Sequence, residues 1–222
     1  MTDAAPILGP SDTDRACGLI LAGGRSRRMG RDKAWLEIEG EPLLLRQLRR
    51  LRETGLTEIA VAVGPADRPP LPGLPPTIPL LSDRFAGLGP MAGLEAGLGW
   101  ARSRCARGWI LAVAVDLPGL SSDWLRRLLA RARPGIGCVP VHQGRLEPLA
   151  ALYPHLAWPV AREHLEAQQA SAQEFCRRGL DDGWMTSWEL APEDHRTLTN
   201  WNTPSDWPPR RPDGGDGRGV NP

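Results

Sequence analysis

The strongest constraint on the fold is an apolar run, Gly18-Leu19-Ile20-Leu21-Ala22, that opens directly into a loop of glycine and basic residues, Gly23-Gly24-Arg25-Ser26-Arg27-Arg28-Met29-Gly30-Arg31-Asp32-Lys33. A strand with no polar alternation has no face to offer water, so it belongs inside a parallel sheet covered on both sides. Parallel pairing demands crossover connections. The chain supplies them, because short strand-like runs alternate with segments whose apolar residues recur at helical spacing. Leucines at 44, 45, 48 and 51 predict a helix over 42–52, and residues 59–63 read as the second strand. The proline-rich connection 64–79 leads to a short strand near 78–81, Gly89-Pro90 opens the next helix, and residues 109–115 form a fourth strand ending at Asp116. Residues 122–133 predict a helix capped by Ser122, residues 138–141 and 149–153 two strands around a polar turn, and residues 156–176 a further helical stretch. The expected fold is α/β, a three-layer sandwich with a mostly parallel, Rossmann-like sheet.

A chain of 222 residues buries one substantial core. One domain is expected over 16–207. The flanks 1–15 and 208–222 are rich in Pro, Gly, Asp and Arg without apolar periodicity, and are expected to be a disordered N-terminal extension and C-terminal tail. With 27 basic against 26 acidic residues there is no global field to gather nucleic acid or a membrane surface, so anion binding must be local. The longest apolar run is too short for a membrane span, and the acidic, proline-bearing N-terminus is unlike an export signal. A cytoplasmic location follows as an expectation, as do reduced thiols, since the four cysteines are scattered without CxxC pairs. The four histidines show no ligand spacing and read as surface residues.

Glycines at the carboxyl end of a strand let the backbone turn sharply and aim N–H groups at an anion, with no Cβ to block a phosphate. Lys33 and the arginines add mobile positive charge. The loop is not a P-loop, because Gly30 is followed by Arg31-Asp32-Lys33 rather than Lys and Ser or Thr, and it lacks GxGxxG spacing. Asp116 is delivered by its strand to the edge of the sheet where α/β proteins bind ligands. One carboxylate there suits Mg²⁺, which completes its shell with water and phosphate. Asp83-Arg84 also reads as an ordinary loop ion pair, and Thr203-Pro204 as a helix start.

The string LAGGRSRRMGRDK, followed by Gly40-Glu41-Pro42-Leu43, resembles the signature loop of the molybdenum cofactor guanylyltransferases, within the wider nucleotidyltransferases. The ordered motifs Asp83, Gly89-Pro90-Met91-Ala92-Gly93, Asp116-Leu117-Pro118 and Asn200-Trp201-Asn202-Thr203-Pro204 extend the resemblance over residues 18–206. It implies that Leu21, Ala22, Gly23 and Gly24 contact the nucleotide, that Lys33 reaches its phosphates with help from Arg28, that Asp83 helps hold the nucleotide and that Asp116 ligates Mg²⁺. It further implies that Arg145, Asn200 and Asn202 face the acceptor. The implied reaction moves GMP from GTP to the phosphate of molybdenum-molybdopterin with release of pyrophosphate, and Lys33, Asp116 and Arg28 are its catalytic set. A recipient molybdoenzyme or its chaperone is the implied macromolecular partner.

This chain departs from the pattern in three places. Gly64-Pro65-Ala66-Asp67 lacks an asparagine that some relatives carry, Gln168–Gln173 replaces a Gly-Arg-Arg patch, and Trp207-Pro208-Pro209 cuts short the helix after Pro204. Cytidylyl transfer to the same cofactor, or nucleotidyl transfer to a sugar or polyol phosphate, stays open beside the leading reading. Gly24 speaks for the purine, since relatives using CTP or UTP tend to read Leu-Ala-Ala-Gly. A non-catalytic nucleotide sensor or cofactor-delivery adaptor is the alternative of another class.

Overall fold

The computed structural model describes residues 16–23, 34, 36–65, 73–104 and 108–199. The expected extension, the tail and the boundary at 207 lie outside them. Strand β1 (Ala16–Leu21) is followed by a small antiparallel hairpin, β2 (Glu37–Ile38) and β3 (Glu41–Pro42), and by helix α1 (Leu43–Glu53). Next come β4 (Ile59–Gly64), β5 (Leu80–Ser82), α2 (Pro90–Ala101), β6 (Trp109–Ala114) and α3 (Ser122–Leu129). The second half contains β7 (Gly137–His142), β8 (Arg145–Leu146), β9 (Ala150–Pro154), α4 (Ala157–Glu166), α5 (Ala172–Asp181) and β10 (Met185–Glu189), and ends in a 3-10 helix, Pro192–Leu198.

Among the described residues the main sheet has eight strands in the order β10-β7-β9-β6-β1-β4-β5, with β8 added to β7. Strands β5, β4, β1 and β6 are mutually parallel, β9 runs against both β6 and β7, and β10 is parallel to β7. Alternating side chains divide the interior into two cores. Ile20, Val61, Leu111, Val113 and Leu152 pack beneath α1 and α3, whereas Leu19, Leu21, Ala62, Ile110, Ala112, Ala151 and Tyr153 pack beneath α2, α4 and α5. Helices cover both faces, so the strands are apolar on both, as the unbroken runs of β1 and β6 require. The expected three-layer, mostly parallel architecture is the one observed.

Local details depart from the sequence reading. Ser121, not Ser122, caps α3, its Oγ accepting from Trp124 N at 3.1 Å. The helical stretch 156–176 is two helices, broken where Gln168 takes φ 59° and where Ser171 caps α5 by accepting from Glu174 N. The expectation of reduced thiols is corrected at Cys17, which is disulfide-bonded, because pairing depends on proximity in the fold rather than on CxxC spacing; Cys138 and Cys176 are free and buried. His164 is buried, with Nε2 3.1 Å from the carbonyl of Ser171, so it is not a surface histidine. Among the described residues, no helix is long and apolar enough to cross a membrane.

Small residues let α2 lie close on β1. A Cβ on Gly97 would stand 2.2 Å from Leu19 Cδ2 and 3.0 Å from its Cγ, and Leu19 is fully buried with nowhere to retreat. Gly97→Ala is expected to lower the unfolding free energy by about 1–3 kcal/mol through overpacking. That loss outweighs the ~1 kcal/mol alanine gains as a helix former. A urea titration should show an earlier midpoint at unchanged slope; an unchanged or later midpoint would show that the contact yields freely.

Candidate functional site

From β1 the chain moves outward to β4 and β5, then returns to β6 on the opposite flank of β1. Connections leave in opposite directions on either side of the β1–β6 gap, which opens a crevice at the carboxyl edge where α/β folds bind ligands. Leu21, Ala22 and Gly23 form the tip of β1 on one side of this gap, and Asp116 follows β6 on the other. Two backbone bonds fix the tip: Ala22 N donates to Ala62 O at 2.9 Å, and Val115 N donates to Leu21 O at 3.1 Å. The second bond places the residue preceding Asp116 directly beside the start of the glycine loop.

Gly23 is glycine for a packing reason as well as for access. A Cβ there would stand 2.8 Å from Gly64 N and 3.0 Å from Gly64 Cα, both backbone atoms of the neighbouring strand, and Gly64 itself has φ 84°. The two backbones therefore cross at a spacing that side chains forbid.

Helix α1 holds the segment around Asp116 from below. Gln47 Nε2 donates to Leu117 O at 2.7 Å, and Arg50 donates from Nη1 to Pro118 O at 2.7 Å. Burial pushes Arg50 down to about 10. Sequence reasoning assigned neither residue a role. A signal was present for one of them, because Gln47 stands within the apolar stripe formed by Leu44, Leu48 and Leu51, where a polar side chain needs a reason. Asp116 is part-buried at the edge, and no group of three or more His, Cys, Asp or Glu side chains able to hold a metal ion occurs among the described residues. A carboxylate at the edge of the crevice fits a hard ion such as Mg²⁺ that takes further ligands from phosphate and water.

Asp83 stands on the other side of β1, past β5. Its N–H donates to Gly64 O at 2.8 Å. The carboxylate is tucked between β4 and α2: Oδ2 lies 3.9 Å from the point a Cβ on Gly64 would occupy, and Oδ1 3.7 Å from the corresponding point on Gly93. Buried Oδ1 has no hydrogen-bond partner among the described residues, and burial pushes the carboxyl up to about 6. Arg84 is not its partner, contrary to the loop ion-pair reading. Its guanidinium meets fully buried Glu95 at 2.5 Å, which also accepts from Trp158 Nε1 at 2.9 Å. Gly89, at φ 63°, and Pro90 start α2 at the same edge of the sheet.

Leu21, Ala22, Gly23, Asp83 and Asp116 are thus gathered at the carboxyl ends of β1, β5 and β6. Arg145 is exposed on β8, at the same edge but beyond β9. Gly24, Arg28, Lys33, Asn200 and Asn202 lie outside the described residues.

Residues 18–182 match the family described as the MobA-like NTP transferase domain. The chain is 38% identical over 189 residues to the Opitutus terrae protein named "Probable molybdenum cofactor guanylyltransferase", covering 85% of this chain and 91% of that one. It is 35% identical over 198 residues to the molybdenum cofactor guanylyltransferase of Rhodobacter capsulatus, covering 86% and 93%. Among solved structures, molybdopterin-guanine dinucleotide biosynthesis protein A from Archaeoglobus fulgidus aligns with a TM-score of 0.62 at 18% identity over 85% of this chain and 93% of that one, which is a likeness of fold.

The strained position of Asp83 has a pH signature. Its pKa is higher folded than unfolded, so the unfolded chain gives up the proton first and stability falls as pH rises from about 3.8 to about 6, then stays level. Asp83→Asn removes that penalty. Because Asp83 is only part-buried and solvent screens its charge, the substitution is expected to stabilise the protein by on the order of 1 kcal/mol at pH 8 and by almost nothing at pH 4. Melting curves at both pH values check it; equal shifts at both would contradict the assignment of cost to the buried charge.

Proposed function

From the premise that the chain belongs to the MobA-like NTP transferase family, with the molybdenum cofactor guanylyltransferases among its relatives, we propose that it transfers GMP from GTP to the phosphate of molybdenum-molybdopterin, releasing pyrophosphate. The observation that carries this reading is the bond from Val115 N to Leu21 O, which joins the root of the glycine loop to the strand end bearing Asp116 across the crevice. The tip of β1, where the glycine loop starts, and the Asp116 carboxylate flank one gap, which supports a place to hold a nucleoside triphosphate by its phosphates.

The acceptor phosphate is already a nucleophile near neutral pH, so no serine or cysteine is required. Catalysis then consists of aligning two polyanions and neutralising the charge that develops between them. In this assignment Leu21, Ala22, Gly23 and Gly24 receive the nucleotide, Lys33 and Arg28 neutralise its phosphates, and Asp83 steadies the nucleotide from the β5 side. Asp116 would hold Mg²⁺, which when bound supplies a Lewis acid for the phosphoryl oxygens. Gln47 and Arg50 are positioning residues for Asp116, since they grip the backbone that follows it. Arg145, Asn200 and Asn202 are assigned to the acceptor. The same reading puts the enzyme in the cytoplasm, with its product passed to a molybdoenzyme or that enzyme's chaperone.

Asp116→Asn is expected to reduce pyrophosphate release at least about a hundredfold while leaving the melting temperature close to wild type. Wild-type turnover would remove Asp116 from the chemistry. Lys33→Ala is expected to weaken GTP binding about tenfold or more, which is about 1.4 kcal/mol; an unchanged affinity by calorimetry would take Lys33 out of the site.

A further inference from the structure

Strand β7 runs in the same sense as β6, so its last residue, His142, opens onto the same edge as Asp116. Strand β9 separates them. Two strand spacings put the ends of β6 and β7 about 10 Å apart, a distance a small acceptor molecule bridges while its phosphate stays beside Asp116. Three segments meet at His142. The tight turn Gln143-Gly144, with φ 51° and 73°, folds β8 back on β7; the turn before β9 contributes Glu147; and the 3-10 helix brings His195.

His142 Nδ1 stands 3.6 Å from Glu147 Oε1, and the rings of His142 and His195 are 4.9 Å apart. Both side chains of the first pair are largely shielded, 17% and 25% exposed. The turn carrying Glu147 is built firmly. Glu147 N donates to Pro140 O at 2.8 Å, Ala150 N donates to Glu147 O at 3.1 Å, and the buried hydroxyl of Tyr153 donates to Pro148 O at 2.7 Å. The Glu147 carboxylate stands 3.6 Å from His142 Nδ1, beyond hydrogen-bond distance, with a quarter of its side chain exposed, and buried His142 Nε2 has no partner among the described residues. Burial lifts Glu147 above the usual carboxylate range and lowers His142. A half-buried carboxylate held in place by its backbone, with an open side toward the sheet edge, is placed to accept from a ligand's N–H donors.

Resting on the acceptor assigned under the proposed function, we propose that Glu147, braced by His142 and His195, recognises the amino-amide edge of the acceptor's fused heterocycle. A pterin presents two parallel N–H donors there, from its 2-amino group and the adjoining ring nitrogen, and a carboxylate accepts such a fork with both oxygens. Guanine carries the same edge. Position decides between them, because the cluster lies across β6 and β9 from the glycine loop, on the side opposite Asp83. Glu147 is therefore a specificity residue for the acceptor and not for the nucleotide.

The test uses the full chain and follows the histidine ring signals by NMR, assigned with His142→Gln and His195→Gln, while unsubstituted pterin is added. Pterin is expected to shift the His142 and His195 signals saturably. Lumazine, which has an oxo group in place of the amino group, and GTP should leave them in place. Glu147→Gln should abolish the pterin response, and Glu147→Asp should keep a weaker one, with GTP affinity unchanged within about twofold in both. The proposal is overturned if pterin leaves these rings unmoved, if lumazine or GTP moves them equally, or if Glu147→Gln responds like wild type. No turnover is read, so a failure of GMP transfer would count against the proposed reaction and leave this assignment to the spectra.

Discussion

Parallel pairing of β1 with β4 on one flank and β6 on the other is the constraint from which the rest of the molecule follows. Leu21 is matched in register to Ala62 and to Ala114, so β1 and β6 stop at one level and β4 runs two residues beyond it to Gly64. Because both faces of these strands are buried in separate cores, a slip of one residue would exchange the two sets of side chains and wreck both. The crevice at the strand ends is therefore as rigid as the core beneath it. The Gly23–Gly64 crossing tightens this further, since its contacts are between backbones and cannot relax by a rotamer change.

Along this edge the proposed roles fall in spatial order. Asp83 and the tip of β1 lie on the nucleotide side, Asp116 in the middle, and Glu147 with His142 on the acceptor side. Polar groups along it are held by the backbone yet poorly satisfied: Asp83 Oδ1, Gln47 Oε1 and His142 Nε2 are buried without hydrogen-bond partners among the described residues. Protein interiors tolerate few such groups, and those that stand at this edge are open to partners brought by a ligand.

The central strands were legible because their physics is local. An unbroken run such as Trp109–Ala114 has one stable home, and the carboxylate two residues beyond it must emerge at the edge. Strand β10 was not legible. Met185–Glu189 is partly exposed and mixes Thr, Ser and Glu with Met and Trp, and its place is set by pairing with β7 and by the stacking of Trp188 on Trp124 at 5.4 Å. The same limit hid the acceptor-side cluster. Glu147 lies in the turn Arg145-Leu146-Glu147-Pro148 that resembles the family's turn bordering the acceptor, but His142 and His195 carry no motif, and sheet topology rather than spacing brings them to it. Arg84 shows the converse error: its neighbour in sequence is Asp83, but its partner is Glu95 on the next helix. The chemistry proposed for the glycine loop rests on composition and position, since residues 24–33 lie outside the described residues, and the proposed purine preference hangs on the single residue Gly24.

Nucleotide selectivity in the transfer reaction tests the central claim most directly. Pyrophosphate release would be measured with molybdenum-molybdopterin and Mg²⁺, offering GTP, CTP, ATP and UTP in turn at equal concentration. Release with GTP that exceeds each of the others by about tenfold or more, and that depends on the acceptor, is the predicted result. Equal or greater release with CTP, or tight GTP binding with no pyrophosphate formed, would contradict it.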